Sequence, residues 1–174
     1  MTDPEPPVRV RPATPADRDQ VWPLARDLAT SYTVERPAFE RSYASLLADP
    51  SALVLVAETP GAITGYLLAT SHPAFHANAP IAWVEEVMVA ALARGAGTGR
   101  LLMAAAESWA RSIGAAYVAL ATRRAAPFYR ALAYEDSATY FKKTPHLMGA
   151  QVRYTSRQCA TSTTVTTLAS SSIR

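Results

Sequence analysis

The chain has one cysteine, Cys159, in 174 residues. That excludes an internal disulfide and every multi-cysteine metal pattern, and it agrees with a reducing compartment. No apolar run reaches the length of a membrane span. The first residues, Met1 to Pro7, are polar and proline-rich and lack the apolar centre of a secretion signal, so the sequence predicts a cytoplasmic protein with no membrane partner. An excess of one charge is also missing: 17 Lys and Arg against 14 Asp and Glu leave +3, with a pI near 9.2. This mild basicity can help recruit an anionic cofactor but does not argue for nucleic-acid binding. With 49% hydrophobic and 18% charged residues, the composition is that of one globular domain with a full core.

What is present is a regular alternation of patterns. Val8 to Arg11 alternates as a short strand, and Thr14-Pro15-Ala16-Asp17 reads as a helix start with proline at the first position. A helix follows to about Ser31, with Val21, Leu24, Ala25 and Leu28 on one stripe, and a second spans Pro37 to Leu47. From Ala52 the period changes to that of strands: Leu53 to Glu58, a turn at Thr59-Pro60-Gly61, and a returning strand from Ala62 to Thr70 with a bulge at Gly65. Ser71 to Pro80 reads as an irregular loop, and Ile81 to Val89 as a strand. Leu102, Ala105, Trp109 and Ile113 mark the buried stripe of a third helix, stopped by Gly114. A strand at Ala116 to Ala121, a short helix at Arg124 to Leu132 and a last strand at Ala138 to Phe141 complete an α/β order with a mixed sheet. A domain over 8–143 then gives way to a Ser/Thr-rich segment, 144–174, without period, read as a disordered tail.

The stretch that organises the rest is Arg94-Gly95-Ala96-Gly97-Thr98-Gly99-Arg100, between the apolar strand and the third helix. Glycines alternating with small residues let successive backbone N–H groups turn inward, and the helix that follows directs its positive dipole end at the turn. An anion belongs there, most simply a pyrophosphate. A Walker-type loop would end in Gly-Lys-Ser/Thr, whereas Gly99 is followed by Arg100-Leu101. A dinucleotide fingerprint would lie near the first strand with an acidic residue about twenty positions on, and Ala119 occupies that place.

The segment resembles the acetyl-CoA signature of the GNAT superfamily of N-acetyltransferases, a strand ending Leu-x-Val followed by Arg/Gln-x-x-Gly-x-Gly/Ala. Val87-Met88-Val89, Arg94, Gly97 and Gly99 stand at that spacing. Trp83-Val84-Glu85-Glu86 on the strand agrees, and Ala126-Pro127-Phe128-Tyr129-Arg130-Ala131-Leu132-Ala133-Tyr134 is similar to the family's Phe-Tyr-x-x-Leu-Gly-Phe/Tyr segment. The resemblance covers roughly residues 8 to 143. It implies a splayed central β-sheet flanked by helices, acetyl-CoA as cosubstrate, and acetyl transfer to a primary amine of a small molecule or peptide. It further implies that the backbone of Val87, Met88 and Val89 pairs with the pantetheine arm, that Arg94 through Arg100 hold the pyrophosphate, and that Phe128 lies beside the cofactor as well as in the core. Two positions depart from the family pattern: Thr122 stands where asparagine is common, and Ala133 where glycine is.

Acetyl transfer from a thioester needs a neutral amine and a proton for the departing thiolate. An alkylammonium, with a pKa of about 10, must lose a proton, and a carboxylate can take it directly or through water. Glu85 and Glu86 are adjacent on a strand, which by alternation puts them on opposite faces, Glu85 with Val87 and Val89, Glu86 with Met88. The resemblance to polyamine-acetylating members places the base on Glu85; a structural ion pair or a solvated carboxylate is the other reading. It also makes Tyr129 the acid, and a phenol at about 10 is well matched to a thiol at about 8.5. His72 and His76 lie in the loop beside Pro73, which argues against a helical metal site and leaves a border of the acceptor pocket or plain surface histidines. An acyl-CoA-binding regulatory domain without turnover and a toxin acetylating aminoacyl-tRNA are the alternatives in other functional classes. A homodimer is left open.

Overall fold

The computed structural model describes residues 8–29 and 32–144. Strands β1 (Arg9–Pro12), β2 (Ala52–Thr59), β3 (Ala62–Ala74), β4 (Ala79–Val89) and β5 (Val118–Leu120) form one sheet in sequence order. The first four pair antiparallel, β1 with β2 after a long helical excursion and the others through short turns, and β5 joins β4 in parallel after a helical crossover. Helices α1 (Arg18–Leu28) and α2 (Arg36–Ala48) cover one face, α3 (Thr98–Ser112) the other, and the short α4 (Ala126–Arg130) follows β5.

The alternation of the strands builds two cores. Val54, Val56 and Tyr66 pack with Val21, Leu24 and Tyr43 of α1 and α2, while Leu55, Ala57, Leu67, Ala69 and Val84 pack with Leu102, Met103 and Ala106 of α3. Residues 54 and 55, or 66 and 67, thus point to opposite faces, as the pleat requires. The α1 entrance is fixed as the sequence indicates: the Thr14 N–H donates to Asp17 Oδ2 at 2.7 Å, with Pro15 at the start of a single 3-10 turn. Arg11 donates to both oxygens of the buried Asp17, at 2.7 and 2.8 Å, and this pairing outweighs desolvation and holds the carboxyl down at about 2.

Several expected boundaries move. α1 ends at Leu28, with Ala29 already extended, and residues 30 and 31 lie outside the described residues. The bulge expected at Gly65 is present with Thr64 as the extra residue, because Ala57 pairs with Gly65 and Glu58 with Ile63. Gly65 is needed for another reason: a Cβ there would come within 2.9 Å of the Met88 carbonyl oxygen. The stripe buried on α3 is Thr98, Leu102, Met103, Ala106 and Ala110, rotated from the one expected, since Trp109 is too large to sit wholly beneath the helix and remains half-buried.

Ser71 to Pro80 is not a loop. β3 and β4 continue as a two-stranded ribbon to the pairs Pro73 with Pro80 and Ala74 with Ala79, turning through Phe75–Ala77. Both prolines are tolerated because β2 stops pairing at Thr70 and the β5 ladder begins at Ala82, so neither outer edge of the ribbon needs their N–H. The strand expected at Ala138 to Phe141 is absent: these residues are exposed and unpaired with the sheet. Beside the outer edge of β5 they leave a groove of about 730 Å³ lined by Arg111, Tyr117 and Tyr134, which includes no residue of β4. The Ser/Thr-rich segment, beyond Thr144, lies outside the described residues.

Candidate active site

β4 and β5 pair only through Ala82 with Val118, Trp83 with Ala119 and Val84 with Leu120. Beyond Val84 the two strands part, and no strand among the described residues pairs with that edge of β4 from Glu85 to Val89. The glycine-rich turn lies at the end of this open edge. Gly95 and Gly97 have φ of 84° and 85°, the left-handed region that a β-carbon disfavours, and a Cβ on either would meet nothing within 4 Å. Their requirement is conformational. Gly99 is different, since its Cβ would lie 3.2 Å from Phe128 Cζ, so this glycine lets α4 close on the start of α3. Gly99 is thus constrained by packing as well as by its place in the turn.

Gly97 caps α3, and the N–H of Leu101 is the first to bond back, to the Gly97 carbonyl at 3.1 Å. The N–H groups of Gly97, Thr98, Gly99 and Arg100 donate to no acceptor among the described residues. These four donors, at the positive end of a fifteen-residue helix, are the arrangement that a backbone anion site requires. Arg94 has a structural task in addition to the one expected of it: its Nε donates to the Val89 carbonyl at 3.0 Å, tying the turn to the end of β4. Thr98 is buried, and its hydroxyl finds no partner among the described residues.

The two glutamates do not obey simple alternation. β3 pairs Leu68 with Glu86 and Ala69 with Val84, leaving Glu85 as an extra residue in a bulge. Thr70 Oγ1 donates to Glu85 Oε1 at 3.3 Å, and Tyr66 donates its hydroxyl to Glu86 Oε2 at 2.6 Å. Thr70 and Tyr66 alternate along one face of β3, the face that carries α1 and α2. Both carboxylates are therefore reached from the same side, and the assignment of Glu85 to the face of Val87 and Val89 is corrected: the bulge breaks the period of two between Val84 and Glu86. Glu85 is exposed, Glu86 half-buried, and neither forms an ion pair with Lys or Arg among the described residues.

Tyr129 is held by the end of α4. The N–H of Tyr134 bonds the Tyr129 carbonyl at 3.0 Å and that of Ala133 the Arg130 carbonyl at 3.0 Å, with Ala133 left-handed at φ 65°. This is a Schellman stop, with an alanine in the position glycine prefers. The contact that accompanies such a stop is here aromatic, the rings of Tyr129 and Tyr134 meeting edge-on at 5.9 Å, and Phe128 lies against Tyr129 at 5.0 Å. Burial raises the Tyr129 hydroxyl above its ordinary pKa, so it is protonated at neutral pH and available as a donor. His76, in contrast, contacts Tyr117 at 3.1 Å at the far end of β4. From Ala79 to Glu85 the strand rises about 20 Å, which removes the histidine ribbon from the splay.

The acetyltransferase (GNAT) family model matches residues 19–134. The chain belongs to this family. No curated protein sequence matches it. Among solved structures, a transcriptional regulator from Bacillus halodurans C-125 is 26% identical with a TM-score of 0.71, covering 79% of this chain and 99% of its own. Glucosamine-6-phosphate N-acetyltransferase from Arabidopsis thaliana, 17% identical, has a TM-score of 0.70 over 79% of this chain and 98% of its own. The aminoglycoside N-acetyltransferase AAC(6')-Iy, in complex with CoA, is 16% identical with a TM-score of 0.74 over 84% of this chain and all of its own. The mixed five-stranded sheet flanked by helices is thus the fold of GNAT acetyltransferases, and the two enzymes, at such identities, bear on fold alone. Sequence reasoning about this GNAT chain missed Tyr66. Its signal was present, a tyrosine inside an apolar strand whose hydroxyl needs a partner, but the partner lies on another strand at a register that only the fold supplies.

Proposed function

We propose that the protein transfers an acetyl group from acetyl-CoA to a primary amine of a small molecule or peptide. The observation that carries this reading is the junction of four orphan N–H donors at the start of α3 with the open edge of β4. Residues present there fit a nucleotide thioester: backbone donors for a pyrophosphate, and an unpaired strand edge for an amide-bearing arm, which binds as an added strand does. The AAC(6')-Iy structure holds CoA, and relatives of this fold are named as acetylating amines.

Acetyl-CoA supplies the acetyl group as a thioester. The chain's own part is binding and proton movement. The backbone of Val87 and Val89 orients the arm, and the turn from Arg94 to Arg100 anchors the phosphates. A carboxylate of the Glu85/Glu86 pair takes one proton from the acceptor's ammonium, freeing the lone pair that attacks the carbonyl carbon. As the C–S bond breaks, Tyr129 gives its hydroxyl proton to sulfur and regains one from the acylated nitrogen. The products are an amide, a free thiol and one proton passed from the carboxylate to water. Two carboxylates with no Lys or Arg paired to them among the described residues give the acceptor side a negative field, which suits a protonated amine.

Release of free CoA thiol across a panel of amines and peptides is the test. Amine-dependent release with formation of the acetylated product is expected. Tight acetyl-CoA binding with no release for any amine would instead make the chain a binding module without turnover.

A further inference from the structure

Resting on that acetyltransferase reading, we infer that Glu86 is the base and that Tyr66, buried in the sheet, is the residue that positions it. Tyr66 is 2% exposed, its ring packed among Val21, Leu24, Tyr43 and Val56 in the core beneath α1 and α2. A phenol in such a place must hydrogen-bond or lose stability, and its one polar partner among the described residues is Glu86 Oε2 at 2.6 Å. The rigid ring thereby fixes a carboxylate that would otherwise rotate at the mouth of the splay, two positions past the last pair with β5. Because Tyr66 occupies Oε2, Glu86 Oε1 is the atom left to take the proton.

The other candidate is placed differently. Glu85 is exposed on the bulge, and its one hydrogen bond among the described residues is the 3.3 Å contact from the half-buried Thr70. A base needs a fixed position and partial exclusion from water, and Glu86 has both. Tyr66 cannot serve as the base in its stead: burial, then the adjacent Glu86 charge, push its hydroxyl far above the ordinary range, so it remains a donor throughout the working pH range. Glu85 is left at the rim of the same face, where a carboxylate can attract the acceptor without touching its reacting nitrogen.

The test is a double-mutant cycle on the full chain. Glu86→Gln is expected to lower kcat about 10²-fold or more and to abolish the acid-side limb of the pH profile, with the KM for acetyl-CoA unchanged. Tyr66→Phe is expected to lower kcat at least tenfold and to move that limb to higher pH, because a donor to the charged carboxylate is gone. In the Glu86→Gln background, Tyr66→Phe should do nothing further to kcat. Glu85→Gln should leave kcat within a few-fold and raise the KM for the amine. The inference is overturned if the effects of Tyr66→Phe and Glu86→Gln multiply, or if Tyr66→Phe lowers thermal stability while its pH profile matches the wild type. Should Tyr66→Phe fail to fold, the pH profiles of Glu86→Gln and Glu85→Gln still decide which carboxylate is the base. A wild-type chain that releases no CoA with any amine overturns the underlying reading; a fully active Glu86→Gln overturns this inference alone.

Discussion

From Pro80 to Val84, β4 is bonded on both edges, and Ile81, Ala82 and Val84 are buried; from Glu85 to Val89 the one strand that pairs with it among the described residues is β3, and no side chain is buried. The two halves belong to one strand, apolar on either side of Glu85-Glu86. They differ because β5 ends at Leu120 and because one extra residue is inserted where the pairing stops. The closed half holds the sheet together, and the open half is held by β3, by the cores on its two faces and by Arg94 at its end. A strand that is rigid on one edge and vacant on the other can receive another backbone without reorganising, which is what precise placement of a thioester requires.

The comparison can be sharpened by substitutions whose effects should fall on one half alone. The largest effect is expected from Tyr129→Phe, which keeps the ring against Tyr134 and Phe128 and removes only the proposed proton donor. Turnover should fall by about 10² to 10⁴ with acetyl-CoA affinity and melting temperature nearly unchanged; a loss under tenfold in steady-state kinetics would remove Tyr129 from the acid role. Next, Val84→Ala in the closed half should cost about 1.5–3 kcal/mol in urea unfolding, and Val87→Ala, half-buried on the same face, clearly less. Equal costs would mean that the open half is as much core as the closed one.

Gly97→Val should weaken acetyl-CoA binding measured by calorimetry at least about tenfold, the strain of a left-handed residue being on the order of 1–2 kcal/mol and its relief requiring the turn to move. No protein atom obstructs that side chain, so a folded variant with unchanged affinity would contradict the phosphate-turn assignment. The smallest effect is expected at Ala133, whose φ of 65° suits glycine better. Ala133→Gly should raise stability by no more than about 1 kcal/mol, partly offset by the freer unfolded chain, and leave turnover as it was.

The glycine turn, the helix after it and the order of elements were legible in the sequence because each depends on a local signal: a φ that only glycine adopts easily, a period of 3.6, a period of two. The placement of Glu85 and Glu86 was not, since alternation assumes an unbroken ladder and the bulge is decided by how β3 meets β4. The same holds for Ser71 to Pro80, where two prolines spell a loop locally but are harmless on a ribbon with free edges. The tetrapeptide Ala138-Thr139-Tyr140-Phe141 shows the converse error, a good strand pattern with no partner among the described residues. Tyr66 was invisible as a site residue because its burial and its partner are both long-range facts.

The bulge also bears on how β4 tolerates gain and loss of residues. With Glu85 left out, Trp83, Val84, Glu86, Val87 and Met88 alternate without interruption in register with β3. The strand is thus spelled as if Glu85 were a guest within it. Excising either glutamate gives the same chain, in which one carboxylate takes the paired position and every other side chain keeps its present face, whereas excising Val87 would turn over part of the pattern. One carboxylate is built into the pairing of the sheet, and the other can be lost, moved or exchanged without the sheet having to change.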